Sequence, residues 1–169
     1  MADRRAGTGL IIKGISILAA CGVLIALDQF TKALAVKELY GREPFVLLSG
    51  ILELRYVENT GAAFGILKGG SLLFFVIAAL VSLVLFYLLM KLPEGRRYMP
   101  LKLTFIFIIS GALGNLIDRV RLSYVVDFIY FRLIDFPVFN VADIYITCSC
   151  AALVLLLIFY YKDDELKLL

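Results

Sequence analysis

Four apolar runs, at about residues 10–28, 71–90, 101–117 and 143–161, constrain this chain more than any other feature. At about 1.5 Å per residue of helix, runs of this length match a hydrocarbon core roughly 30 Å thick. Composition agrees: the chain is 62% hydrophobic and 18% charged, whereas soluble domains are close to half apolar. The expected fold class is a membrane protein, mainly α, with four transmembrane helices. Residues 1–169 are expected to form a single integral membrane domain.

The polar stretches between the runs, 36–70 and 118–140, are too polar to span and are expected as outer segments. In the first, Leu52, Leu54 and Tyr56 alternate with Glu53, Arg55 and Val57, the period-two pattern of a half-buried strand. Ser49-Gly50 supplies a turn just before it. In the second, residues 124–131 are β-prone, and Pro137 forbids helix just before Asn140. A small extracytoplasmic β-element on the membrane surface is therefore expected. Leu18-Ala19-Ala20-Cys21 has the look of a lipid-acceptor cleavage site, but the apolar run continues past it to Leu27. An uncleaved first span is the expectation.

Orientation is read from basic residues in the short flanks. Arg4, Arg5 and Lys13 precede or open the first run, and Lys91, Arg96, Arg97 and Lys102 lie between the second and third. Both termini are expected in the cytoplasm and the two longer segments outside.

Some chemistries are excluded by what is missing. There is no histidine, which removes Ser-His-Asp and Cys-His catalysis and histidine-ligated metal. The three cysteines, Cys21, Cys148 and Cys150, fall inside apolar runs and are expected as inert packing residues. Cys148 and Cys150 diverge on a helix and make no metal site. Neither a metal nor another cofactor is expected. The net charge of +3 is small and dispersed, so no nucleic-acid partner is expected.

The polar residues at the ends of the runs are more specific. Asp28 and Lys32 stand one helical turn apart, able to pair. Asn59-Thr-Gly-Ala-Ala-Phe64 follows the expected strand, its small residues permitting close backbone approach. Gly111-Ala-Leu-Gly-Asn115-Leu-Ile-Asp118-Arg119 closes the third run, where Ser110 and Gly114 offer a small face for helix contact. Asp127 sits among Val125, Val126 and Phe128, and Asn140 and Asp143 open the fourth run. Each has an ordinary structural role open to it: Asn140 as a helix cap, Asp143 as a first-turn acid, Asp118 and Arg119 as interfacial anchors. With the orientation above, however, all fall at the outer face. Two acids in apolar settings suggest carboxylates that share a proton. Transporters hold ionisable groups near the midplane; a hydrolase acting on a membrane-embedded substrate needs them where lipid meets water. A small proton-coupled transporter with Asp127 and Asp143 as relay sites is the alternative, and a non-catalytic scaffold for lipidated peptides a third reading.

Taken together, these motifs resemble the lipoprotein signal peptidases, the type II signal peptidases of bacterial membranes, over about residues 28–143. The resemblance implies an aspartic endopeptidase with four transmembrane helices and an outer β-cradle. It implies removal of the signal peptide from diacylglyceryl-modified prolipoproteins, by a cut just before the lipidated cysteine. By motif match it assigns catalysis to Asp127 and Asp143 and substrate binding to Asn59, Asn115, Arg119 and Asn140. Asp28, Lys32, Gly111 and Asp118 take supporting positions. A monomer in the bacterial cell membrane, with membrane lipid beside its substrate, is the corresponding expectation.

Overall fold

The computed structural model describes residues 2–61 and 71–166. The first helix, α1 (Ala2–Leu39), is 38 residues long, or roughly 57 Å, and outruns a bilayer core of about 30 Å. The expected span stopped at Asp28; the helix continues because its next turns are buried. Asp28 and Lys32 are sealed from solvent, and Ala35 and Leu39 pack against Val126 and Phe128 of the sheet. Strands β1 (Phe45–Leu48) and β2 (Leu52–Asn59) follow, joined through a turn in which Gly50 has φ 72°. That left-handed conformation is why a glycine stands there. The expected strand and its turn are both present.

Helix α2 (Ser71–Lys91) leads through a 3-10 turn at Arg96–Tyr98 into α3 (Met99–Leu122). The latter runs past the expected 101–117, so the outer segment 118–140 begins in helix. It ends at Ser123, whose left-handed backbone (φ 69°) turns the chain and whose N–H donates to the Arg119 carbonyl at 3.0 Å. Strand β3 (Val125–Phe131) follows at once and completes an antiparallel sheet in the order β1-β2-β3. Helix α4 (Val141–Leu155) is prolonged by a π turn at Leu156–Tyr160, and a short α5 (Asp163–Leu166) closes the described chain.

Thr8–Leu39, Arg96–Leu122 and Val141–Tyr160 are each long and apolar enough to cross a membrane; the described apolar part of α2, Phe75–Lys91, is shorter. Helix α3 is the centre of the bundle. Its Leu101, Phe105 and Ile109 bury against Ile17 and Cys21 of α1 and Leu89 of α2. Much of the remaining apolar surface of α1 and α4 faces outward, as hydrocarbon allows. Two glycines set the packing of α3. A Cβ on Gly111 would meet the Ala142 carbonyl oxygen at 2.5 Å, and one on Gly114 would meet Asp28 Oδ2 at 2.6 Å. The expectation for the cysteines is corrected here: Cys21 is buried, but Cys148 and Cys150 are exposed. The buried residues of α4 are Ala142 and Ser149, so both thiols fall outside its packed face.

Candidate active site

Two backbone junctions build the site. On one edge of β3, β2 pairs so that Val57 faces Asp127 and Asn59 faces Val125. Between Leu54 and Val57 the register slips, so that Arg55 and Tyr56 face the single residue Phe128; such a bulge re-aims side chains beside it. On the other edge, the Phe139 N–H donates to the Ile129 carbonyl at 3.0 Å, and the Phe128 and Ile129 N–H groups donate back to Phe139 at 3.1 and 2.8 Å. Asn140 follows directly and caps α4. Its side chain accepts from the Asp143 N–H at 3.0 Å, and its own N–H donates to Asp143 Oδ2 at 3.1 Å. This reciprocal pair satisfies two donors that a helix start would otherwise leave open. It also brings Asp143 to Asp127.

A chain of amides joins the two acids. Asp127 Oδ2 accepts from Asn59 Nδ2 at 2.8 Å, and Oδ1 accepts from Asn140 Nδ2 at 2.7 Å. Asn140 Nδ2 also donates to Asn115 Oδ1 at 3.1 Å, and Asn115 Nδ2 donates to Asp143 Oδ1 at 2.8 Å. The amide orientations follow from fixed donors. Lys32 can only donate, and its Nζ lies 2.8 Å from Asn115 Oδ1, so the Asn115 NH2 must face Asp143. The Asp143 backbone N–H likewise claims Asn140 Oδ1 and turns the Asn140 NH2 to Asp127.

Below the pair lies a buried ionic knot. Lys32 Nζ sits 2.9 Å from Asp28 Oδ2 and 3.0 Å from Asp118 Oδ2, with all three side chains almost fully enclosed. The anions have second tasks. Asp28 Oδ1 accepts from the Ala142 N–H at 3.0 Å, and Asp118 Oδ2 accepts from the Val126 N–H at 3.1 Å. One knot therefore fixes the start of α4 and the start of β3, the elements that carry Asp143 and Asp127.

Both acids open onto one cavity of about 780 Å³, lined also by Arg55, Asn59, Asn115, Arg119 and residues 136–139. Asp127 is 1% exposed. Burial, reinforced by the nearby Asp143, pushes its carboxyl up to about 7, against the opposing hydrogen bonds of Asn59 and Asn140. One proton held between two carboxylates is what such a pair does chemically. No metal-binding group of acids and cysteines occurs among the described residues.

Asp28, Lys32, Asn59, Gly111, Asn115, Asp118, Arg119, Asp127, Asn140 and Asp143 are all at this site or directly beneath it. Of the 59–64 stretch, the part beyond Gly61, Phe64 included, lies outside the described residues. Sequence reasoning passed over Gln29, whose Nε2 donates to Asp118 Oδ1 at 2.9 Å and to the Gly114 carbonyl at 3.2 Å. It also missed Arg55 and Cys148 in the cavity wall. Arg55 had a signal, because period two sets it on the face of Val57 and Asn59. Gln29 had none beyond its place beside Asp28.

A bundle of helices long and apolar enough to cross a membrane, with two acids meeting at one cavity, has the architecture of a membrane enzyme. The particular kind follows from comparison: residues 20–159 match the model of the signal peptidase (SPase) II family, and the chain belongs to that family of membrane aspartic proteases. It is 49% identical over 137 residues to the lipoprotein signal peptidase of Caldanaerobacter subterraneus subsp. tengcongensis, covering 80% of this chain and 91% of that one. With that of Streptococcus pyogenes serotype M1 it is 41% identical over 143 residues, 85% and 91% of the two chains. A solved bacterial membrane enzyme superposes with a TM-score of 0.77 at 29% identity, over 88% of this chain and 92% of the other. The expected family, enzyme class and mixed helical and β architecture are borne out. The transporter alternative finds no support among these relatives.

Proposed function

We propose that this membrane enzyme removes the signal peptide from prolipoproteins carrying a diacylglyceryl group, cutting just before the lipidated cysteine, with Asp127 and Asp143 as its catalytic pair. One observation carries the assignment: the two acids stand on different elements, line one cavity and are tied through Asn140 and Asn115. Asp127, the more enclosed, holds the shared proton. Asp143, in the first turn of α4 and bonded by a backbone N–H, is the ionised member that a helix N-terminus favours. In the reaction Asp143 takes a proton from water as the water oxygen attacks the peptide carbonyl. Asp127 gives its proton to the carbonyl oxygen. As the tetrahedral intermediate collapses, the C–N bond breaks, the hydroxyl proton returns to Asp127, and the proton held by Asp143 goes to the departing amine. Asn59, Arg119 and the two bridging asparagines hold the substrate backbone extended across the pair.

The same reading makes residues 1–169 one domain of four spans, α2 being the second, active as a monomer. Both termini lie in the cytoplasm, the sheet lies outside, and the diacylglyceryl chains stay in lipid between helices. The test is to give purified protein in lipid a diacylglyceryl-modified prolipoprotein and its unmodified form. A mass loss equal to the signal peptide, from the modified form alone, is expected. Equal turnover of both would remove lipid from recognition, and no turnover of either would remove the assignment.

A further inference from the structure

Among the described residues Arg55 is a cation with no anion beside it. Its guanidinium carbon lies 3.5 Å from the centre of the Tyr130 ring, on the face of β2 that lines the cavity. Tyr130 is itself anchored, its hydroxyl donating to Asp135 Oδ1 at 2.5 Å. The cation just past the end of β3 is differently used: Arg132 bonds Glu53 at 2.6 Å. Among the described residues Arg55 has no carboxylate partner, and its Nε is buried with no hydrogen-bond acceptor. A guanidinium held over the face of an aromatic ring keeps its N–H groups directed outward in its own plane, where they can grip a planar, two-oxygen acceptor.

The cavity shows what reaches it. Along α4 its lining extends to Ile144 and Thr147, toward the apolar span, and this side suits the signal segment. Along β2 its lining extends from Val57, paired with Asp127, to Arg55. Two strand residues cover about 7 Å, the reach of the second or third residue of an extended substrate beyond the cut. That part of the substrate leads into water and is the mature chain.

Resting on the function proposed above, we infer that Arg55 is a specificity residue: it selects precursors with an acidic side chain at the second or third position of the mature chain, gripping that carboxylate against Tyr130. The experiment compares lipidated precursors that carry Asp, Gln or Lys at those positions. The wild type should prefer Asp over Lys in kcat/KM by roughly fivefold, the size expected of one half-exposed charged contact. The preference should lie in KM. Arg55→Gln should erase it and Arg55→Glu should invert it, the relative rates on three substrates serving as an internal control for folding. A wild type indifferent to the charge, or an Arg55→Glu variant with the same order of preference, overturns the inference. Failure of the wild type to cleave any of the three would instead strike the proposed function itself.

Discussion

At the scale of single residues, the amide chain makes the two acids one unit. Asp127→Asn or Asp143→Asn keeps the size but removes the ability to share and pass a proton. Each change should lower kcat by roughly a hundredfold to ten-thousandfold, and the double variant should be little worse, because members of one unit are not additive. Cleavage of lipidated precursor with both single variants and the double variant measures this. The pH dependence has a definite sign. In the proposed mechanism Asp127 is the acid; its carboxyl is raised to about 7, so below that value it carries the proton it must give. As pH rises through about 7 the proton is lost, and kcat/KM should fall on the alkaline side. A profile still climbing at pH 8 would assign the proton elsewhere. Lys32 is structural by contrast. Lys32→Met leaves Asp28 and Asp118 facing each other in a sealed site, at a cost of about 3–5 kcal/mol, read as a lower unfolding temperature in lipid or detergent.

At the scale of elements, α3 meets its neighbours through glycine. Asp28 cannot retreat from a new methyl at Gly114, because Lys32 and the Ala142 N–H hold it. A methyl at Gly111 meets backbone. Gly114→Ala should destabilise by roughly 1–3 kcal/mol and Gly111→Ala by at least as much. Displacing the acids by about 1 Å should cost activity near a hundredfold. Turnover and thermal unfolding of the two variants separate these effects, with activity falling further than stability. These contacts also mark how far the sequence could be read. Spacing alone paired Asp28 with Lys32, alternation gave β2, and Pro137 kept helix away until Asn140. What stayed hidden is non-local. Nothing near Asp28 says that its second oxygen caps a helix starting at Val141, or that Asp118 completes the knot. The three or so turns of α1 beyond Asp28 are not legible as helix, and their last residues, from Val36, read as outer segment, because Ala35 and Leu39 become core only once β3 covers them. The acids themselves were legible because charge is rare beside apolar runs, which makes each instance informative.

At the scale of the whole molecule, orientation is open to a direct check. Reporter fusions near Arg96 and after Lys162 should read cytoplasmic, and one near Glu53 external; an external signal at Arg96 would reverse the assignment. The knot beneath the acids has a mechanical consequence as well. Lys32 and Asp28 belong to α1, Asp118 to α3, and the capped Ala142 N–H to α4, so buried charge clasps three helices together at the end that carries the acids. A helix longer or shorter than the surrounding lipid is thick relieves the mismatch by tilting. Tilt in α1 cannot be absorbed at the clasp without moving the first turn of α4, and Asp143 moves with it. Turnover in bilayers of graded acyl-chain length should therefore pass through a maximum and decline on both sides, while affinity for a soluble peptide ligand changes less. On that account the enzyme is tuned to one membrane thickness, and its host could throttle lipoprotein maturation by changing the lipids it makes.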